Sequence, residues 1–578
     1  MAHMAGPTVL DHSRRRGGRL TLPLLGALTF GATAANAQFR VPEAGSVGAG
    51  SFPSDRAAAA LDANGGTAPS ASTAPVVRLN AQGFPVGLPP GEGGVDPRRF
   101  RFTPSLGGTV IATDNVNDTS SNRKADVITV VSPGLLVNAD TPRLSALVSY
   151  QPSALFYARQ GGQNRIDHFG NGQAVATLIP ERLFLDVRGA ASVSPVLGQQ
   201  APGSSNLSNR SGQVQTFSYI VSPYYVQRFG TFATARVGYS MQYGRQGLPG
   251  SNVNERIAGT NLTAAQAGFR NNEYTAHQFY AVMRSGPDFG RFAFEAGLDS
   301  TDYVGSGVLD GAYRRSASLE GRYAIMRGLY VLAEGGYEQQ RYAGTPGLRI
   351  SGPIYSVGVR YDVSDGGFII ARYGRRDGFD SASLDASVPV GGRTRVTARY
   401  SDRLTTTAGR TADLLTTTTL DELGNPIDLA TGLPATTGFS SSILGIQSNL
   451  VRTRSALASI VQSWPRDVFA LNFSYQQQTV VSLAPGVAAF PQKSTLGSFV
   501  WSHSLTDRTT STAFLQFGRF ESGLFGNGTL GSVSLSLSHQ LQERLAGTVQ
   551  VATTVRSNDQ TSNRSVQNRV LVSLRQTF

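Results

Sequence analysis

The sequence predicts an all-β chain: a transmembrane, antiparallel, up-and-down β-barrel of about 22 strands, an even number as bacterial barrels require. Three observations predict it. From Phe100 to Phe578, short segments alternate apolar and polar side chains, which is the period of a strand. The connections between them alternate between tight turns and mostly longer polar links. After the N-terminus no run is apolar for the roughly 20 residues that a helical span needs.

The chain divides into three parts. In residues 1–37 the basic "HSRRRGGRL" is followed by the apolar "LTLPLLGALTFGA" and by small residues at Ala35 and Ala37. This is the pattern of a secretory signal cut before Gln38. Residues 38–99 are rich in Gly, Ala, Pro and Ser and poor in large apolar groups. Such a stretch buries too little surface to offset its ordering entropy, so a flexible periplasmic segment is expected. Residues 100–578 form the barrel.

The alternation is clearest in "GSVSLSLSHQL", where Val533, Leu535, Leu537 and Leu541 oppose Ser532, Ser534, Ser536 and Ser538. "VFALNFSYQQ" places Phe469, Leu471, Phe473 and Tyr475 against Ala470, Asn472, Ser474 and Gln476. "YSVGVRYDV" does the same with Tyr355, Val357, Val359 and Tyr361. Tight turns are expected at 138–143, 180–182, 228–231, 286–290, 326–328, 364–367, 390–393, 464–467, 506–508 and 542–544. The opposite links fall at 114–124, 160–168, 195–213, 245–274, 305–312, 343–350, 376–380, 407–449, 481–491, 522–527 and 556–563. A soluble sandwich does not require so long a run of regular hairpins, and no fixed repeat marks a solenoid. Closure in lipid satisfies every backbone group without leaving an edge, which accounts for the uniformity.

Composition narrows the function. Charged residues are 15% and cysteines number zero, which excludes a disulfide scaffold and thiol chemistry. The net charge of +13 comes almost wholly from arginine, since Lys124 and Lys493 are the only lysines. The arginines are dispersed along the chain and no nucleic-acid-binding motif accompanies them, so nucleic acid is not an expected partner. The histidines beyond the signal (His168, His277, His503 and His539) have no metal-ligand spacing, and there is no GxSxG elbow. "GNGTLG" supplies Gly526, Gly528 and Gly531, but a strand pattern follows where a dinucleotide site needs a helix, so a hairpin loop is expected. No cofactor and no enzymatic activity are expected.

With the apolar parity assigned to lipid, the inward parity is charged. Glu295 and Asp299 fall on the ninth strand, Glu320 with Arg314 and Arg322 on the tenth, and Glu334 and Glu338 on the eleventh. The twelfth to fifteenth strands then present Arg360, Asp362, Arg372, Arg376, Asp385, Arg395, Arg399 and Arg403. Charge belongs on this face, because an arginine facing lipid at the midplane costs about 2–4 kcal/mol. The plain reading is an ion-paired wall around water. The functional reading is an acidic arc beside a basic one, setting a transverse field that selects solutes.

A barrel of this strand number is wide and needs something to narrow it. The segment 407–449 is the leading candidate, with apolar anchors at Leu420, Leu423, Ile427 and Leu429, and 245–274 is the second. Outward Tyr150, Tyr239, Tyr323, Tyr373, Tyr400, Phe469 and Trp501 fit interfacial girdles. Phe514 falls on the inward parity, where an aromatic ring offers a sugar a stacking surface.

The last strand, "VQNRVLVSLRQTF", turns Val570, Val572, Leu574 and Phe578 to lipid and Arg569 and Arg575 inward. Phe578 is expected to serve as the signal read by the barrel-assembly machinery, with Gln576 polar at the rim.

Four stretches together resemble a known family. They are "TDNV" (113–116), "ADVITVVSPGL" with Asp126 and Ser132-Pro133-Gly134, "YQPSALFYAR" with Tyr150 and Tyr157, and "GNGQAVATLIPERLFLDVRGAASVSP" with Asn171 and Gly172. They are similar to the outer-membrane β-barrel porins that accompany exopolysaccharide systems, including the PEP-CTERM-associated subgroup. The resemblance is best over residues 100–230 and implies a link to polysaccharide secretion. The expected protein is therefore an outer-membrane channel of a Gram-negative bacterium. Its expected partners are outer-membrane lipid and lipopolysaccharide, the assembly machinery, and a polysaccharide or its export components. The rival expectation is a closed barrel that anchors a surface polymer, with a barrel-borne enzyme third.

Overall fold

The computed structural model describes residues 100–195, 213–247, 272–363, 367–406, 415, 418–420, 426–428, 449–487, 491–522, 526–558 and 563–578. The predicted signal and the loose segment before Phe100 lie outside these residues.

Twenty-two strands form one sheet. They run β1 (Phe100–Thr113), β2 (Asp126–Thr141), β3 (Leu144–Tyr157), β4 (Arg165–Ile179), β5 (Leu183–Pro195), β6 (Gln213–Phe229), β7 (Ala233–Gly247) and β8 (Asn272–Ser285). β9 (Phe292–Gly305), β10 (Tyr313–Met326), β11 (Leu329–Tyr342), β12 (Leu348–Val363), β13 (Gly367–Arg376), β14 (Phe379–Val390) and β15 (Thr394–Thr405) follow. A small separate hairpin, β16 (Thr418–Leu420) with β17 (Pro426–Asp428), sits inside the longest link. The sheet resumes with β18 (Leu450–Ser463), β19 (Asp467–Ser482), β20 (Gln492–Thr506), β21 (Thr509–Ser522), β22 (Gly526–Gln542), β23 (Leu545–Asn558) and β24 (Asn563–Thr577).

Each strand pairs antiparallel with the next, β15 pairs with β18, and β24 returns to β1. The sheet is therefore a closed barrel with no free edge, the form in which strands cross a bilayer. Its outer surface fits that solvent. Val533, Leu535 and Leu537 on β22, and Val570, Val572 and Leu574 on β24, are exposed, while the serines between those of β22 are buried. Tyr150, Tyr323, Tyr373 and Trp501 also stand exposed on the outside. With an even strand count and one rim of uniformly short turns, this is a bacterial outer-membrane barrel.

One expectation is corrected here. "GNGTLG" is not a loop: β22 begins at Gly526 and contains the whole motif. Gly528 is required in the strand, because a Cβ there would lie 2.1 Å from the Ser557 carbonyl oxygen and 2.5 Å from the Phe520 ring. The ring occupies the space that glycine vacates.

The seam between β1 and β24 carries its own clasp. Phe578 N–H donates to the Pro104 carbonyl at 2.9 Å at one end. At the other, Asn115 is fully buried, and its amide nitrogen donates to the carbonyls of Thr119 (2.7 Å) and Val566 (3.1 Å). Its side-chain oxygen accepts the Thr119 N–H at 3.0 Å, and Gln567 donates to its carbonyl at 2.6 Å. Asp118, at φ 52°, accepts from Ser565 and pairs with Arg556. The "TDNV" stretch thus folds the first link onto the last two strands. Asn115→Ala removes these three side-chain bonds and a longer fourth from the Thr119 hydroxyl (3.3 Å), each contributing up to about 1 kcal/mol net. It should lower unfolding stability by about 2–3 kcal/mol, seen as a lower denaturant midpoint at unchanged slope.

Candidate functional site: the charged lumen and its crossing segment

Inward side chains of β8 to β13 form a charged rung. Arg284, Glu295, Glu320 and Glu334 are successive register partners on β8, β9, β10 and β11. Neighbouring strands lie about 4.8 Å apart, so three carboxylates stand side by side. Each meets a guanidinium. Arg284 Nε donates to Glu295 at 2.9 Å, Arg372 Nη2 reaches both Glu320 oxygens at 3.2 and 3.1 Å, and Arg376 pairs with Glu334. Arg372 and Arg376 belong to β13, so their side chains reach back over β12. Gly358 opens the path: a Cβ there would lie 2.7 Å from Arg372 Cγ.

The next rung toward the long-link rim centres on Asp377. Arg314 Nη2 lies 3.4 Å from Asp377, Gln340 donates to it at 2.8 Å, and the Leu404 N–H donates to its other oxygen at 3.1 Å. Gln340 also donates to Glu338 at 3.0 Å, and Glu338 accepts the Gly378 N–H at 3.0 Å. Asp299 accepts from the Gln278 amide and lies 3.5 Å from the Thr301 hydroxyl. The remaining arginines are held locally. Arg360 donates to Asp362 at 2.7 Å, Arg395 to Ser387 at 3.0 Å, and Arg399 lies 3.8 Å from Asp385. Arg403 stands opposite Thr453 on β18.

The acidic and basic arcs read from the sequence are therefore stitched into one ion-paired surface. Counting charges strand by strand treats the arcs as separate, whereas a long arginine on a concave wall reaches carboxylates two and three strands away. Arg284 and Asp377 are the members that sequence reasoning missed. Asp377 lies in "RRDGF", whose Asp-Gly pair marks a reversal but gives no sign of an ionic hub.

On the other side, β4 and β5 carry Arg165 with Asp167 (3.0 Å) and Arg188 with Asp186 (3.2 Å). All four side chains are buried. Tyr157 accepts from Arg165 at 3.0 Å. Arg188 Nη1 also donates to the backbone carbonyl of Leu415, at 3.2 Å. Leu415 belongs to the link between β15 and β18, and its side chain is buried. A few residues further on, β16 lies against β4. In a ring of 22 strands, β15 is the fifteenth and β4 the fourth, so β16 lies against the strand diametrically opposite the one the link leaves. Of its predicted anchors, Leu423 and Leu429 lie outside the described residues; Leu420 and Ile427 fall in the small hairpin. The segment 248–271 also lies outside them.

The long-link rim is bridged a second time. Thr345 and Leu483, in the links after β11 and β19, exchange backbone hydrogen bonds at 2.9 and 3.2 Å. Val308 accepts the Ala343 N–H at 3.1 Å. Tyr274, Val308, Leu309, Tyr342, Leu404 and Leu450 gather there in a buried apolar cluster.

The wall from β19 to β24 is uncharged over most of its length. Ser532, Ser534, Ser536 and Ser538 face inward beside Thr512, Gln516, Thr548, Gln550 and Thr554, all buried. Arg556 on β23 and Arg569 and Arg575 on β24 are its inward guanidiniums. The amide oxygens of Gln516 and Gln540, and both amide atoms of the buried Gln478, have no hydrogen-bond partner among the described residues. Phe514, buried, stands among these hydroxyls, paired in register with Ser534.

The histidines stand apart from this surface. His168 and His277 bond Tyr150 and Tyr239 at 2.8 and 2.7 Å, and His503 bonds Asp467 at 2.8 Å. Among the described residues no group of three or more His, Asp or Glu is placed to hold a metal.

No family model matches the chain, and no curated protein matches it. Solved structures do resemble it in overall form. The FrpB iron transporter from Neisseria meningitidis is 8% identical, with 86% of this chain and 83% of that one covered at a TM-score of 0.48. The ferric-catecholate import receptor Fiu from E. coli is 9% identical over 83% and 82%, at 0.45. The siderophore receptor PirA from Pseudomonas aeruginosa is 9% identical over 83% and 80%, at 0.42. Likeness at this level concerns form alone.

Proposed function

We propose that this barrel is an outer-membrane channel that passes a hydrogen-bonding, sugar-like chain or solute, in line with a role in exopolysaccharide secretion. The observation that carries this reading is the luminal wall of β19 to β24. Its buried hydroxyls and amides, with the unpartnered amide of Gln478 and the unpartnered amide oxygens of Gln516 and Gln540, offer donors and acceptors at strand spacing. Polyhydroxyl chains exchange water for such groups at little net cost, because each bond lost to solvent is regained on the wall. The paired charges of β8 to β15 contribute oriented dipoles more than a net field. Glu295, Asp299, Glu320, Glu334, Glu338, Arg360, Arg372, Arg376, Arg395, Arg399 and Arg403 line the passage, and the segment that reaches Arg188 narrows it.

Ion selectivity in planar bilayers tests the lumen. Replacing Arg372, Arg395 and Arg399 by Gln leaves Glu320 and Asp385 without these partners, so the open channel should shift toward cations. Unchanged reversal potentials would remove these residues from the conducting path. A second reading, a closed barrel that anchors a surface polymer, is favoured by the Thr345–Leu483 bridge and the apolar cluster at the rim. A barrel that shows no conductance in bilayers at any voltage, yet still retains polysaccharide, would replace the first reading with the second.

A further inference from the structure

Nine of the arginines that the sequence scatters are brought by the fold to one rim. Nine of the ten tight-turn connections carry an arginine at or next to the turn. Three of them share a four-residue pattern: Ile179-Pro180-Glu181-Arg182, Leu505-Thr506-Asp507-Arg508 and Leu541-Gln542-Glu543-Arg544. In each, the first residue is an exposed aliphatic, at 49%, 48% and 48%. In each, the acid and the arginine are also exposed. Among the described residues no ion pair holds Arg182, Arg508 or Arg544. The arginine's carbonyl is used instead, accepting Val226 N–H (2.7 Å), Gln540 N–H (2.8 Å) and Thr577 N–H (2.8 Å) from β6, β22 and β24, the strand after each hairpin. The backbone fixes the turn while leaving the guanidinium free for another partner.

We infer that these three turns bind the phosphoethanolamine headgroups of the membrane leaflet that meets the tight-turn rim. The aliphatic residue enters the acyl region at the outer wall. The long arginine reaches back along the wall to the phosphate level, as amphipathic side chains do at interfaces. The short carboxylate stays at the turn, further from the bilayer, at the level of the ammonium. This order matches a headgroup whose phosphate lies next to the glycerol and whose ammonium lies outermost. A purely anionic headgroup would be repelled by the acids, and a choline headgroup gives them no N–H to accept.

The test uses the full chain, refolded into vesicles of equal parts phosphatidylethanolamine, phosphatidylcholine and phosphatidylglycerol. The barrel is extracted in mild detergent, and its retained lipids are quantified by mass spectrometry. The native chain should retain phosphatidylethanolamine several-fold above the other two. Joint replacement Arg182→Gln, Arg508→Gln and Arg544→Gln should return the retained lipid to the vesicle ratio. Joint replacement Glu181→Gln, Asp507→Asn and Glu543→Gln should keep phospholipid bound but shift it toward phosphatidylglycerol. Heat-modifiable gel migration confirms a folded barrel in each case. Equal retention of ethanolamine and choline lipids by the native chain would overturn the inference, as would a native preference for phosphatidylglycerol. Enrichment that survives the arginine replacements would overturn it too.

Discussion

Excising residues 411–446 should raise the single-channel conductance of the refolded barrel several-fold. The link leaves the sheet at β15, and Leu415 and β16 within it lie on β5 and β4, half the ring away, so a route across the lumen is the reading under test. Its hold there includes the bond from Arg188 to the Leu415 carbonyl. Arg188 is kept in place by Asp186, so the donor is oriented before the segment arrives. A ring of 22 strands encloses far more space than side chains alone fill. Removing the crossing segment therefore widens the path, whereas removing a loop from the outer surface would not. A second variant separates attachment from bulk. Arg188→Ala keeps the segment but frees this attachment, so conductance should flicker between the native and the enlarged level. Two unchanged traces would place the segment outside the conducting path and leave the rim bridge between Thr345 and Leu483 as the constriction.

Deleting Phe578 should abolish most outer-membrane assembly while export continues, so that the chain accumulates in the periplasm. The residue contributes little to the finished fold: its ring is exposed, and its backbone makes one bond, to Pro104. One exposed aromatic and one net hydrogen bond represent about 1–2 kcal/mol. That is too little to account for a loss of the folded barrel by instability alone. A severe assembly defect combined with a near-normal denaturant midpoint of the refolded variant would thus assign Phe578 to recognition by the assembly machinery. A matching fall in both would assign it to the seam. Cell fractionation and refolding in vitro, on the same variant, provide the two readings.

Much of the architecture was legible because its physical cause is local. Alternation has period two, so Val533, Leu535 and Leu537 were assigned to lipid and the serines between them to the interior without any tertiary information. Turn chemistry is local as well, and it located the hairpins, including the short reversal now seen at Asp377 and Gly378. The charged residues were placed on their strands by the same parity. "GNGTLG" was misread for a related reason: glycines signal a turn in sequence, but Gly528 answers to the Phe520 ring, which belongs to the preceding strand.

The candidate site was less legible, because its defining contacts are not local. Glu320 and Arg372 are 52 residues apart and Arg188 and Leu415 are 227 apart. No pattern within a single strand encodes that Arg372 crosses Gly358 or that Leu415 meets the far wall. The sequence by itself determined an exported all-β barrel, its strand parity and the side chains available to its interior. Only the tertiary structure decided which charges neutralise one another, that Leu415 meets the wall opposite β15, and that nine dispersed arginines share one rim. The physical reason is closure: bending the sheet into a ring turns side chains remote in sequence toward a common interior, and places every second turn at the same level of the membrane.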